Sequence, residues 1–209
     1  MKKGAVITGD IAGFTSLKDK QRESLIAQLK EIFASWTEKG YAELFRGDSF
    51  QLLVPDFETS IKRSLQLRCW FKKVTPSKQK TVLDAKMVIG LGEISYFNNS
   101  VLDADGEAFH YSGRTFDKME ETGLRIVTKD EKINKQLDVI TDLMNVIIGN
   151  WTTGQSEVIY QLLEDKTQQQ IADNLHIAQS AVNNRIKLSR WKEIEKTIAY
   201  IISLTNDLF

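Results

Sequence analysis

Residues 41–54 read "YAELFRGDSFQLLV", two apolar runs on either side of the short turn Arg46-Gly47-Asp48-Ser49, which is the pattern of a β-hairpin. Pro55 closes the second run, since proline has no N–H to offer the next rung of a ladder. Upstream, residues 4–10 ("GAVITGD") are short, apolar and β-branched, as suits a buried strand, and Gly13 with Thr15 and Ser16 marks a loop. From Gln21 to Glu38 the apolar Leu25, Ile26, Leu29, Ile32, Phe33 and Trp36 recur at three- and four-residue steps, which predicts a helix with one core-facing stripe, stopped by Gly40. Downstream, residues 58–73 predict a second helix through Ile61, Leu65, Leu67 or Arg68, and Trp70, and "DAKMVIGLGEISYF" predicts a strand ending near Gly92 and Glu93. The order strand, helix, two strands, helix, strand is the split βαβ arrangement, so the expected class is α+β, with helices on one face of a mainly antiparallel sheet. A loop ("NNSVLDADG"), a helix over 107–119 packing Ala108, Phe109 and Met119, and a short strand ("GLRIVT") complete this part.

After Thr128 only helical patterns follow. Residues 130–149 predict one helix whose apolar face is Leu137, Ile140, Leu143, Met144 and Ile147, and "GNWTTGQ" predicts its end and a joint. Val158, Ile159, Leu162 and Leu163 then form one helix face, Thr167 is placed to cap a short helix carrying Ile171, Ala172 and Leu175, and "HIA" connects tightly to a third. This is helix-turn-helix spacing, in an all-α domain. The third helix would turn Gln179, Ser180, Asn183, Asn184 and Lys187 outward, with Arg185 and Arg190 able to reach a nucleic-acid backbone. Amides suit bidentate contacts to adenine, and hydroxyls and cations suit phosphate, so DNA is the expected partner, with a protein-contact hairpin as the alternative. Residues 178–192 contain Arg185, Lys187, Arg190 and Lys192 and no acid. A closing helix over 191–205, with Trp191, Ile194, Ile198, Ile201 and Ile202, packs on this unit or pairs with a second subunit. The expected organisation is 1–128, an α+β domain; 129–150, a connecting helix; and 151–209, the helix-turn-helix domain.

Composition narrows the function classes. Lysine plus arginine and aspartate plus glutamate both number 28, so no overall field draws the chain to nucleic acid or anionic lipid, and any such binding must be local. One cysteine, Cys69, excludes an internal disulfide, and two distant histidines argue against structural zinc. The start "MKKGAVITGD" reaches Gly9 and Asp10 before an apolar core of signal-peptide length forms, and no later run is long enough to span a bilayer. The expectation is a soluble cytoplasmic protein with no membrane association.

In a split βαβ fold the end of the first strand lies beside the hairpin, so Asp10 and Asp48 are expected to face each other. Two carboxylates that close repel unless a divalent cation such as Mg²⁺ or Mn²⁺ neutralises them while keeping positions for phosphate oxygens. On local spacing alone both also read as ordinary turn residues. The "DADGE" loop, with Asp103 and Asp105, lacks the ligand count and distal glutamate of an EF-hand and is expected to be solvated. His110 has no carboxylate neighbour evident from spacing and reads as a half-buried histidine.

A third segment, "GEAFHYSGR" (106–114), changes the balance. Together with "DIAGFT" and "RGDSF" it resembles, over roughly residues 4–120, the class III adenylate and guanylate cyclases, whose motifs are a D-I-x-G-F-T turn, a G-D hairpin and a G-x-x-V-N-x-A-A-R helix. The resemblance implies a ferredoxin-like, nucleotidyl-cyclase-like fold, metal-binding roles for Asp10 and Asp48, and nucleotide-binding positions at Arg114 and His110. His110 stands where those cyclases have the ribose-positioning asparagine, and Ala42 where many have a purine-reading lysine. The compact strand, "GDI" turn, "GDSF" hairpin and "GEAFH" helix look closer to the SatD family of small bacterial proteins, which are not established enzymes. Residues 167–182 resemble the helix-turn-helix of sigma-factor and LuxR-type regulators, T-x-x-x-I-A-x-x-L-x-I-x-x-x-x-V. The combined expectation is a homodimeric DNA-binding transcriptional regulator with a nucleotide- or metal-sensing domain. The alternatives are a cyclase-type enzyme acting on a nucleoside triphosphate, or a protein-interaction adaptor.

Overall fold

A computed structural model describes residues 2–77 and 81–206. The chain runs β1 (Lys2–Ala12), α1 (Asp19–Trp36), β2 (Ala42–Phe45), β3 (Ser49–Val54), α2 (Phe57–Val74), β4 (Asp84–Ile94), α3 (Glu107–Lys118) and β5 (Gly123–Val127). It continues with α4 (Glu131–Gly149), α5 (Thr153–Leu162), α6 (Gln168–Leu175), α7 (Gln179–Leu188) and α8 (Trp191–Thr205). The protein is therefore α+β followed by an all-helical part. The sheet order is β2-β3-β1-β4-β5, with β1 antiparallel to β3 and β4, and β5 parallel to β4. The hairpin strand β3 lies between β1 and β2, which is the split βαβ topology.

Alternation along β1 assigns the two faces of the sheet. Ala5, Ile7 and Ile11 join Leu25 and Leu29 of α1 and Ile61 and Leu65 of α2 in the large core. Val6 joins Leu53, Ala108 and Phe109 in a second cluster, so α3 covers the opposite face. Helices thus lie on both faces, not on one. The cause is in β4: Gly90 and Gly92 are the cross-strand partners of Val6 and Gly4, and a Cβ on Gly90 would stand 2.2 Å from the carbonyl oxygen of Ala108. Without side chains at these two positions, α3 comes down almost onto the strand backbone. Strands β3, β4 and β5 run parallel to one another and the chain steps the same way across the sheet each time. With α2 and α3 on opposite faces, the two connections have opposite hands, and one of them departs from the usual right hand.

The helical part shares the large core, with Val158 and Ile159 of α5, Ile171 of α6, Val182 of α7 and Trp191 of α8 in the same cluster as α2. Across α2 and α5, Gln66 Nε2 donates to the carbonyl of Leu163 at 3.1 Å and Lys62 pairs with Asp165 at 2.7 Å. Helix α4 lies along β5, where the Asn145 amide brackets Leu124, accepting from its N–H at 2.9 Å and donating to its carbonyl at 3.0 Å. The buried face of α4 is Leu137, Thr141, Met144 and Ile148, while Leu143, expected inside, is 64% exposed. Thr141 takes an inward place because its hydroxyl donates back to the Leu137 carbonyl at 2.8 Å, so the stripe turns away from the all-apolar one. Among the described residues no helix is long and apolar enough to cross a membrane.

Candidate functional site

Asp10 is the last polar residue before β1 ends, and its cross-strand partners are Ser49 on β3 and Lys86 on β4. The hairpin turn closes against the same strand: the N–H of Ile11 donates to the carbonyl of Asp48 at 3.1 Å. The Asp10 carboxyl is held above its ordinary range, first by its partial burial and then by the charge of Asp48, against the opposing pull of the Ile11 N–H, Lys86 and Ser49. Lys86 does not fully neutralise the pair because its ammonium is committed to the C-terminal end of α3, donating to the carbonyls of Met119 at 2.9 Å and Phe116 at 3.3 Å and lying 3.9 Å from the centre of the Phe116 ring.

A file of polar side chains leads away from this pair. The Ser49 hydroxyl lies 3.4 Å from Asp10 Oδ1, Gln51 Nε2 donates to the Thr8 hydroxyl at 3.1 Å, and that hydroxyl donates to Ser112 of α3 at 3.0 Å. Sequence reasoning passed over these residues, although a threonine and a glutamine inside otherwise apolar strands were their signal. Among the described residues no three His, Cys, Asp or Glu side chains converge on one point. A cation at Asp10 and Asp48 would therefore take two protein carboxylates and complete its shell with water or phosphate oxygens, as Mg²⁺ does at phosphate sites.

Arg114 and His110 are not brought to this pair. Ala108 and Ser112 are fully buried against the sheet, and Arg114, two residues beyond Ser112, sits on the opposite side of α3 and is exposed. Its charge acts on Tyr111, its helix neighbour. His110 is exposed too, and its Nε2 lies 2.7 Å from Asp105 Oδ1, a carboxylate partner that spacing did not reveal. Gly106, at φ 149°, turns the chain back so that Asp105 stands beside the first turn of α3, where the same Oδ1 also accepts the Gly106 N–H at 2.8 Å. The "DADGE" loop is thus tied down at Asp105, whose backbone pairs with Tyr96.

In the helical part Thr167 caps α6 by accepting the Gln170 N–H, with the Gln170 side chain returning to the Thr167 N–H. His176 adopts the left-handed conformation at φ 53°, and the N–H of Ile177 reaches back to the Ala172 carbonyl at 3.1 Å, closing α6 and turning the chain into α7 three residues later. Val182 and Ile186 hold α7 on the core. Gln179, Ser180, Asn183, Asn184, Lys187 and Arg190 are all exposed. Arg185 is set apart from them: its guanidinium turns back on α5, 3.2 Å from the Gly154 carbonyl and 3.5 Å from Glu157. At the far end of α7, the indole N–H of Trp151 donates to the Ser189 carbonyl at 2.8 Å, and Trp151 and Trp191 lie with rings 6.3 Å apart.

No protein-family model matches the chain, and no curated protein matches it.

Proposed function

We propose that this chain is a DNA-binding transcriptional regulator, with an N-terminal part like that of SatD-like proteins and a helix-turn-helix like that of sigma-factor and LuxR-type regulators, whose sheet holds Mg²⁺ or Mn²⁺ at Asp10 and Asp48, with or without a nucleotide. The observation that carries the reading is the outer face of α7, where four neutral polar side chains, Gln179, Ser180, Asn183 and Asn184, stand beside Lys187 and Arg190 while the apolar side of the same helix is buried. Amides at the start of a recognition helix offer paired donors and acceptors to base edges, and the cations at its end meet phosphate. Arg185 acts within the module, fastening α7 to α5, more than at the DNA.

A cyclase-type reaction needs its arginine at the triphosphate. Since Arg114 faces away from Asp10 and Asp48, a nucleotide touching all three would bridge two chains, and the sensing site would then be complete only in a homodimer. Dimer geometry also sets the separation of two recognition helices, about 34 Å for half-sites one turn apart. Cation or nucleotide binding would act by favouring one dimer geometry over another.

The test is fluorescence anisotropy of the full chain with labelled duplex fragments at low and rising salt. Binding is expected to weaken steeply with salt. Lys187→Ala should lower affinity for all sequences, and Asn183→Ala should chiefly reduce the difference between the best and the average fragment. Absence of salt-sensitive binding to any fragment removes the reading in favour of an adaptor.

A further inference from the structure

At the end of the sheet opposite Asp10, a recess of about 430 Å³ opens between the C-terminal end of α1 and the chain leaving β4. Its walls include Trp36, Tyr41, Tyr96 and Phe97, its floor includes Gly4, and the charged side chains on its rim are Lys3 and Glu38. Gly4 precedes Asp10 by six residues on one strand, about 20 Å at 3.3 Å per residue, so this is a separate place from the carboxylate pair.

Both walls are fixed. The Val101 N–H donates to the Gly40 carbonyl at 2.6 Å, Tyr96 and Asp105 exchange two backbone bonds of 3.0 and 2.9 Å, and the Leu53 N–H donates to the Tyr41 carbonyl at 2.8 Å. The Tyr41 and Phe97 rings lie 4.5 Å apart, one from each wall, and Trp36 already carries the Arg63 guanidinium 4.4 Å above its ring, which shows that this indole takes a planar cation on a face. Tyr96 is left 54% exposed, an unusual position for a tyrosine whose backbone is pinned.

The rim charges decide what enters. Lys3 stands directly across the ladder from Glu93 and borders a second, smaller recess with Glu93 and Glu107, so its charge is opposed from that side. Glu38 is exposed and makes no ion pair among the described residues. Aromatic faces attract cations through their quadrupole, and an adjacent carboxylate adds to that attraction. We propose that this recess is a binding site for a small planar aromatic cation, with the ring held among Tyr41, Tyr96 and Phe97 and the positive group directed to Glu38.

The probe is benzamidine, compared with benzoate, which has a ring of the same size and the opposite charge, and with guanidinium, which has the charge and no aromatic ring. Titration calorimetry or ligand-observed NMR on the full chain should show saturable benzamidine binding with a Kd on the order of 1 mM. Benzoate should bind at least about tenfold more weakly, and guanidinium should not saturate. Glu38→Gln and Tyr96→Leu, both at exposed positions, should each weaken benzamidine about fivefold or more with the melting temperature unchanged. Equal binding of benzoate and benzamidine, absence of benzamidine binding at concentrations about ten times that Kd, or retention of full affinity in both variants overturns the proposal.

Discussion

At Asp10 the folded chain bears a carboxylate that it would hold more comfortably as the acid. Burial and the neighbouring Asp48 raise its pKa above the ordinary value of an aspartate. A raised folded pKa contributes stability that is fully present below the unfolded value and is lost as pH rises through the folded value, so the ionised pair is a small liability at neutral pH. Because Asp10 is only partly buried, solvent screening keeps the effect below about 1 kcal/mol. Asp10→Asn is therefore expected to raise the melting temperature slightly in metal-free buffer at pH 7 and to have no such benefit below pH 4. Mn²⁺ should stabilise the wild type and leave Asp10→Asn unchanged, read by differential scanning fluorimetry with and without chelator. A wild type indifferent to Mn²⁺ would remove the cation from the site. The proximity of Asp10 and Asp48 was legible because a split βαβ order places the hairpin beside the first strand whatever the side chains. The placement of Arg114 was not legible, since the inward face of α3 includes Ser112, a hydroxyl that no apolar pattern marks.

At the scale of elements, the face of the sheet that α3 covers was settled by Gly90 and Gly92. In the sequence "GLGE" reads as the frayed end of a strand; in the fold these glycines are the surface on which α3 rests. Gly90→Ala would drive a Cβ to 2.2 Å from the Ala108 carbonyl oxygen and 2.6 Å from the Ser112 nitrogen, both backbone atoms that cannot rotate aside. The expected cost is about 1–3 kcal/mol of stability, accompanied by faster amide exchange in α3. Gly113→Ala is the control on the same helix: nothing lies within 4 Å of the added Cβ, and alanine in a helix interior should stabilise by up to about 1 kcal/mol. If both substitutions destabilise alike, close approach at Gly90 is not what seats the helix. The start of α6 and the turn into α7 were readable because they are written locally, in the Thr167 cap and the "HIA" turn. On α4 the reading slipped because an inward threonine that satisfies itself on its own helix is invisible to a hydrophobic pattern.

In the whole molecule, α2 is the element that makes one body of the sheet and the helices. It reads as an ordinary amphipathic helix, yet Ser60, Ser64, Gln66, Arg68 and Lys72 are buried along with its apolar residues, since it is covered by the sheet on one side and by the helical part on the other. Polar residues in such a helix conceal the second buried face from any periodicity argument. The burial of the two cations among them is compensated at one ionic junction. Arg68 donates twice to Asp84 at 2.8 Å and once to Asn145 at 2.9 Å, while Lys72 lies 3.1 Å from Asp84 and donates to the Gly149 carbonyl at 3.1 Å. Burial alone would raise the Asp84 pKa, but the charge and hydrogen bonds of Arg68, then Lys72, outweigh it and leave the net value lowered. A lowered carboxylate pKa gives stability that is present above the unfolded value and lost as pH falls through the folded one, so this junction fails in acid. Asp84→Asn would strand two buried cations with no anion, at an expected cost of about 3–5 kcal/mol, and should also flatten the acid limb of the stability profile below pH 4. Since the junction joins α2, β4 and the end of α4, the loss should appear in a single transition, with near-ultraviolet signals from Trp151 and Trp191 melting together with the far-ultraviolet signal of the sheet. Two separated melts in the variant, with the tryptophan signals at the wild-type temperature, would mean that the helical part stands without α2, and a signal from Asp10 could not travel to α7 through this shared core.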